Sequence, residues 1–219
     1  MRRLVGLIAG LVGVVSAECG RAPPEEFPQR PVQTAATSAP PAKGLTGPVE
    51  DAIATARRSE ASGRCVLTTP AVAPQPVASG PAVGCPPDPE PNSPALPVVH
   101  LGFPDVSGVS VEAEFVRSEH DTARGLMYRK ELGENRGMLF DLRMREDHRF
   151  WMHNTCIPLD MLFVDFDGLI VGIAENVPTL NDESRGVGCP SRWVLEVSAG
   201  WARRHGVKAG QHMGLPAAG

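Results

Sequence analysis

The chain has 219 residues, with 21 Lys+Arg against 25 Asp+Glu and a formal charge of −4. Charge and length allow one or two domains and argue against nucleic-acid binding, which needs clustered Lys and Arg to neutralise phosphates. The composition is uneven: 18 of the 22 prolines lie between Pro23 and Pro104, and only Pro158, Pro178, Pro190 and Pro216 come later.

Residues 1–17 read as a secretory signal. Arg2 and Arg3 precede a twelve-residue apolar run, Leu4 to Val15, and Val15 and Ala17 suit a small-residue cleavage site. The run is too short for a transmembrane span, which takes about 20 residues. Cys19 raises a lipid anchor as a second option, but Glu18 stands where lipoprotein signals place a small residue, so soluble export is preferred. Membrane attachment is expected only if Cys19 is lipidated.

Residues 18–104 are rich in Pro, Ala and Ser and are expected to form a disordered, low-complexity tether. Such a stretch buries too little apolar surface to offset its ordering entropy. Within it, residues 47–63 could form a short helix, with acidic residues first and Arg57 and Arg58 late.

Residues 105–219 make one domain. Val109, Val111, Ala113 and Phe115 alternate with polar residues, the period of a half-buried strand. Ser118 is a candidate helix N-cap with Asp121 three residues on. Residues 137–142 and 149–154 read as short strands. Two apolar runs flank Asp167 and Gly168, the pair that supplies a tight hairpin turn. Trp193, Leu195 and Val197 alternate with Val194, Glu196 and Ser198 in a further strand. Residues 199–206 give one or two helical turns, and residues 207–213 a last turn and strand. The expectation is a mainly β domain, a compact antiparallel β-sandwich or distorted barrel with two short helices.

Export makes disulfides expected. Of the five cysteines, Cys156 and Cys189 lie in the domain and Cys65 and Cys85 in the tether. The economical pairing is Cys156–Cys189 and Cys65–Cys85, leaving Cys19 over.

Three blocks occur in order: "RGLMYRKELGENRGMLFDL", "FWMHNTCIPLDMLFVDFDGLIVGI" and "PSRWVLEVSAGWARRHGVKAGQHM". Together they resemble, over residues 109 to 214, the prokaryotic family known as domain of unknown function 192. The resemblance implies a mostly β domain of sandwich type and brings no established activity. It also marks departures, since the family commonly has Lys at His153, an apolar residue at Cys156 and Asp at Gln211. The paired departures at Cys156 and Cys189 fit a disulfide added in an exported branch.

The candidate ligand-binding residues are Arg124, Met127, Arg129, Trp151, His153, Asn154, Asp160 and Glu196. Asp160, beside Asn154, Thr155 and Pro158, suits either a loop anchor or a base at a pocket rim. Arg124 and Arg129 suit either an ion pair or bidentate capture of an anion. Trp151 is an aromatic beside polar groups. The preferred reading is a non-enzymatic, monomeric envelope module that binds a small ligand or an envelope protein, with no cofactor and no metal. One alternative is a small hydrolase or transferase using Asp160 with Arg124 or Glu196. A second is a copper-handling protein using His148, His153 and nearby Met residues, which suit Cu(I).

Overall fold

The computed structural model describes residues 63–76 and 80–216. The expected signal peptide, Cys19, the short helix within residues 47–63 (but for Gly63) and the first part of the tether lie outside the described residues.

Eight strands and two short helices run in the order β1 (Val98–Gly102), β2 (Ser110–Val116), α1 (Glu119–Arg124), β3 (Arg136–Glu146), β4 (Phe150–Met152), β5 (Leu159–Val164), β6 (Ile170–Val177), β7 (Asn181–Arg185), β8 (Ser191–Ser198) and α2 (Trp201–Arg204). Six strands form one sheet in the order β1-β2-β3-β8-β5-β6, and β4 pairs with β7 in a second. The fold is mainly β, as expected, but the sheets are open and no barrel closes among the described residues.

The pairing is antiparallel except between β2 and β3, which run parallel. An antiparallel domain is what the strand pattern suggests. The reason for the difference is α1, which carries the chain across so that β3 returns in the same direction as β2. Ser118 caps α1 as expected: its side chain accepts from the Asp121 N–H and its hydroxyl donates to Asp121 Oδ2 at 2.6 Å. The β5–β6 hairpin turns at Gly168, where φ is 92° and the N–H donates to Asp165 O. A Cβ at Gly168 would also lie 2.4 Å from Met213 O, so the position demands glycine twice over.

Both faces of the large sheet are buried. One face gathers Leu101, Val111, Ala113, Leu139, Leu162, Val164, Leu195 and Val197 under Trp201 and Met213. The other gathers Met138, Phe140, Met161, Phe163 and Val194 under Leu126, Met152 and Ile157. Strand β8 lies third from one edge and fourth from the other, and its alternate side chains enter the two clusters in turn.

The segment expected to be a free tether is not free from residue 63 onward. Val98–Gly102 is an edge strand, with Leu101 fully buried. Upstream of it the chain lies along the domain as a strap. Leu67 N donates to Val171 O, Ala82 N to Cys156 O, and Phe115 N to Pro97 O at the strap's end. Arg64 bridges Asp165 and Asp167 at the hairpin tip. The strap needs no core of its own because covalent staples and borrowed main-chain partners order it.

Those staples correct the expected pairing. The disulfides are Cys65–Cys189 and Cys85–Cys156, so each joins a strap cysteine to a domain cysteine. The four cysteines are the expected four; the economy argument failed because it assumed the strap stood apart from the domain. The bridges span 124 and 71 residues. On the chain-entropy model, loops of this order stabilise by about 4 to 5 kcal/mol for the first bridge lost. In urea unfolding, Cys65→Ser and Cys189→Ser should lower stability alike, and the pair together little further. Cys156→Ser combined with Cys189→Ser should instead lose nearly the sum; a non-additive result for that pair would contradict this connectivity.

Candidate functional site

Two carboxyl groups are buried on neighbouring strands, and their circumstances are opposite. Asp160 is on β5 opposite Val197, and its side chain enters the face covered by α2. It is fully buried. Its Oδ1 accepts from Asn176 N at 2.8 Å and Gly200 N at 3.0 Å, and its Oδ2 accepts from Ala202 N at 3.0 Å. Burial pushes the carboxyl above its ordinary range, and the three main-chain donors pull it partly back. Asp160 therefore ties β6 and the start of α2 to β5. It is an anchor with its lone pairs committed.

Glu196 is opposite Met138 on β3 and Met161 on β5, so its side chain enters the other face. It is 4% exposed and makes no hydrogen bond or ion pair among the described residues. Desolvation alone lifts its pKa from 4.5 to about 8. At neutral pH the group is mostly a neutral acid, able to donate one hydrogen bond and accept others.

Glu196 lines a cavity of about 190 Å³. The wall on one side is the end of α1 and the turn after it: Arg124, Gly125, Leu126 and Met127. Gly125 closes the helix at φ 47°, and a Cβ there would come within 3.3 Å of the Phe140 ring and 4.0 Å of Glu196 Oε2. The other side is aromatic. Phe140 and Phe150 meet edge to face, with centroids 5.1 Å apart, and Trp151 stands 51% exposed at the rim. His148, Arg149 and Thr155 also line the space.

The strap reaches Arg124. Three residues after the Cys85–Cys156 bridge, Asp88 presents both carboxylate oxygens to Arg124 Nη2 at 2.7 Å. Glu90 lies within 3.8 Å of the same guanidinium. Arg124 and Met127 also line a neighbouring groove of about 410 Å³ that the strap roofs with residues 90–96.

Of the residues singled out from sequence, Arg124, Met127, Trp151 and Glu196 converge on the cavity. The rest do not. Arg129 forms a two-pronged ion pair with Glu114, both contacts at 2.6 Å. His153 stacks on Trp151 and contacts Asp182 at 2.8 Å on the surface. Asn154, held at φ 50°, exchanges contacts with Tyr128: its Nδ2 donates to the Tyr128 hydroxyl and its carbonyl accepts from Tyr128 N. Asp160 and Glu196 lie on opposite faces of the sheet, which removes the expected alternative in which they act together. For the copper alternative, Met138, Met152 and Met161 are core residues, and no group of three or more metal-holding His, Cys, Asp or Glu side chains occurs among the described residues. Phe140, Phe150, Arg149 and Asp88 escaped the sequence reading. The first two are ordinary core residues in the sequence, and Asp88 stood in a stretch with no readable structure.

The burial of Glu196 sets a pH dependence. In the unfolded chain the proton leaves near pH 4.5, and in the folded chain it stays until about pH 8. Between those values the native state holds one proton more than the unfolded state, so stability contributed by this group falls as pH rises through that window. Thermal unfolding at pH 5, 6.5 and 8 should show wild type losing stability relative to Glu196→Gln, which has no proton to lose. Parallel pH profiles for the two proteins would contradict the burial argument.

No curated protein matches the chain. The model of domain of unknown function 192, described as Uncharacterized ACR, matches residues 104–215. Two solved structures resemble the domain. A Sinorhizobium meliloti 1021 protein, assigned provisionally as a transcription regulator, shares 29% identity at a TM-score of 0.53, covering 56% of this chain and 97% of its own. A protein of unknown function from Novosphingobium aromaticivorans DSM 12444 shares 32% identity at a TM-score of 0.52, covering 63% of this chain and 94% of its own. With the family model spanning half of the chain, over strands β2 to β8 and the Glu196 cavity alike, the chain belongs to the uncharacterised family of domain of unknown function 192.

Proposed function

We propose that the chain is an exported, non-enzymatic binding module of the cell envelope, and that its ligand occupies the cavity over Glu196. The observation that carries this reading is the unpartnered Glu196 itself. A buried carboxyl without a hydrogen bond costs stability, and its retention at the floor of an aromatic-lined cavity is explained by a ligand that completes it. The cavity is below the usual 300–1,000 Å³ range for drug-sized molecules, so the ligand, or the part that enters, is small.

Binding is favoured over catalysis by what surrounds the acid. Asp160, the other buried carboxyl considered for the chemistry, faces away with its oxygens committed. Thr155 Oγ1 donates to His153 O, and His148 Nε2 is held at Met144 O. A lone acid without a paired base or nucleophile suits recognition. Export is supported by the signal-like residues 1–17 and by two disulfides, which persist in oxidising compartments.

A fragment screen with backbone amide NMR as its readout tests the reading. Fragments that bind should shift Gly125, Leu126, Thr155 and the Trp151 indole together, and should be recovered unaltered. Shifts confined to other surfaces, or a fragment converted by wild type but not by Glu196→Gln, would overturn it. Cell fractionation tests the compartment: the oxidised protein is expected in the envelope or medium, and recovery from the cytoplasm with free thiols would refute export.

A further inference from the structure

We propose that the Glu196 cavity takes a small organic acid, its apolar body lying among Phe140, Phe150 and Trp151 and its carboxylate competing with Asp88 for Arg124. The proposal rests on the ligand-binding reading above and assigns the ligand a chemical class.

The charges that line the cavity point to the head group of the ligand. Arg124 and Arg149 are cationic, and Glu196 is the sole carboxylic acid among the lining residues. Glu196 has no partner that would hold it ionised, so no fixed negative charge faces the space. Arg149 directs its N–H groups to Ser184, Nε to the hydroxyl at 3.1 Å and Nη2 to the carbonyl at 2.7 Å. No carboxylate lies within ion-pair distance of it among the described residues, so its charge is not cancelled. Arg124 and Arg149 line a cavity whose floor is a neutral O–H donor, an arrangement that disfavours an ammonium group and favours an anion able to displace Asp88 from Arg124.

The structure already shows which anion Arg124 accepts. The Asp88 carboxylate is bound there, both oxygens on one terminal nitrogen. Asp88 is an internal occupant of moderate hold, because its side chain remains 31% exposed and, among the described residues, its only other hydrogen bond is Oδ1 accepting from Glu90 N. The Cys85–Cys156 bridge fixes where the strap presents it. A free acid can take that place on Arg124 while its hydrocarbon part enters between the rings, where burying apolar surface adds affinity that Asp88 lacks. The strap thus sets a threshold that an acid without an apolar body does not pass.

Three probes with the same body and different heads test this on the oxidised full chain: 3-phenylpropionate, 3-phenylpropanamide and 3-phenylpropylamine, titrated by calorimetry with NMR mapping. The acid should bind at the cavity about tenfold more tightly than the amide, the difference of one charge-assisted hydrogen bond, and the amine should not bind. Asp88→Asn, which keeps the Oδ1 contact to Glu90, should tighten the acid several-fold and leave the amide unchanged. Arg124→Gln should erase the preference of acid over amide. Amide or amine bound in the cavity as tightly as the acid would overturn the acid assignment while leaving the binding reading standing. Acid that shifts only residues outside the cavity, or that fails to bind even Asp88→Asn, would also overturn the assignment.

Discussion

The structure turns on a carboxyl group buried to 4% exposure at the floor of a cavity, with no hydrogen-bond partner among the described residues. Strand β8 is covered on both faces, which demands that the side chains it buries be apolar or carry no charge. Val194, Leu195 and Val197 meet that demand by being apolar. Glu196 meets it by keeping its proton, and the neutral acid becomes the floor of a cavity instead of a charge in the core. The surrounding elements fit around this group. Gly125 has no side chain to crowd the acid, α1 stops one residue earlier, and Phe140 and Phe150 stand edge to face beside it.

Asp160 is the useful contrast, because strand pairing brings it almost alongside. Its partner across the ladder is Val197, the residue next to Glu196. One step along the strand reverses the face, and the reversal changes everything about the group. Asp160 meets the main-chain N–H groups at the start of α2 and from β6, and is fully occupied. Glu196 meets methionine and phenylalanine. The same chemistry serves as a clamp on one face and as an open valence on the other.

Some of this was legible in the sequence. Alternation in residues 109–115 and 193–198, the Ser118 cap and the Asp167–Gly168 turn all act locally, so they could be read without knowing the fold. Arg124, Met127, Trp151 and Glu196 were recognisable as polar or bulky residues in apolar surroundings. The rest was hidden because it depends on contacts between distant segments. Asn181–Arg185 has no apolar period and is a strand only because β4 offers it a partner. Val98–Gly102 stands in a proline-rich stretch, and β2 supplies its ladder. The disulfide connectivity is set by where the strap runs, which composition does not encode. Asp160, which suited either a loop anchor or a base, is the anchor, and Asp88, which stood in the expected tether, pairs with Arg124 of the cavity wall.

The strap gives the molecule a character beyond its sheet. Two staples hold a segment with no core of its own along the domain, and Asp88 within it pairs with Arg124, which lines the cavity. An oxidising compartment is the setting in which such a segment stays in place. What sets the site apart is the state of one proton. Direct titration of the Glu196 side-chain carboxyl by carbon-13 NMR, in the folded oxidised protein, reads it without reference to stability or ligands. The expected midpoint is close to pH 8, with little change below pH 6. A midpoint in the ordinary range near 4.5 would mean that Glu196 is ionised and solvated, and the cavity would lose the neutral donor on which its proposed role depends.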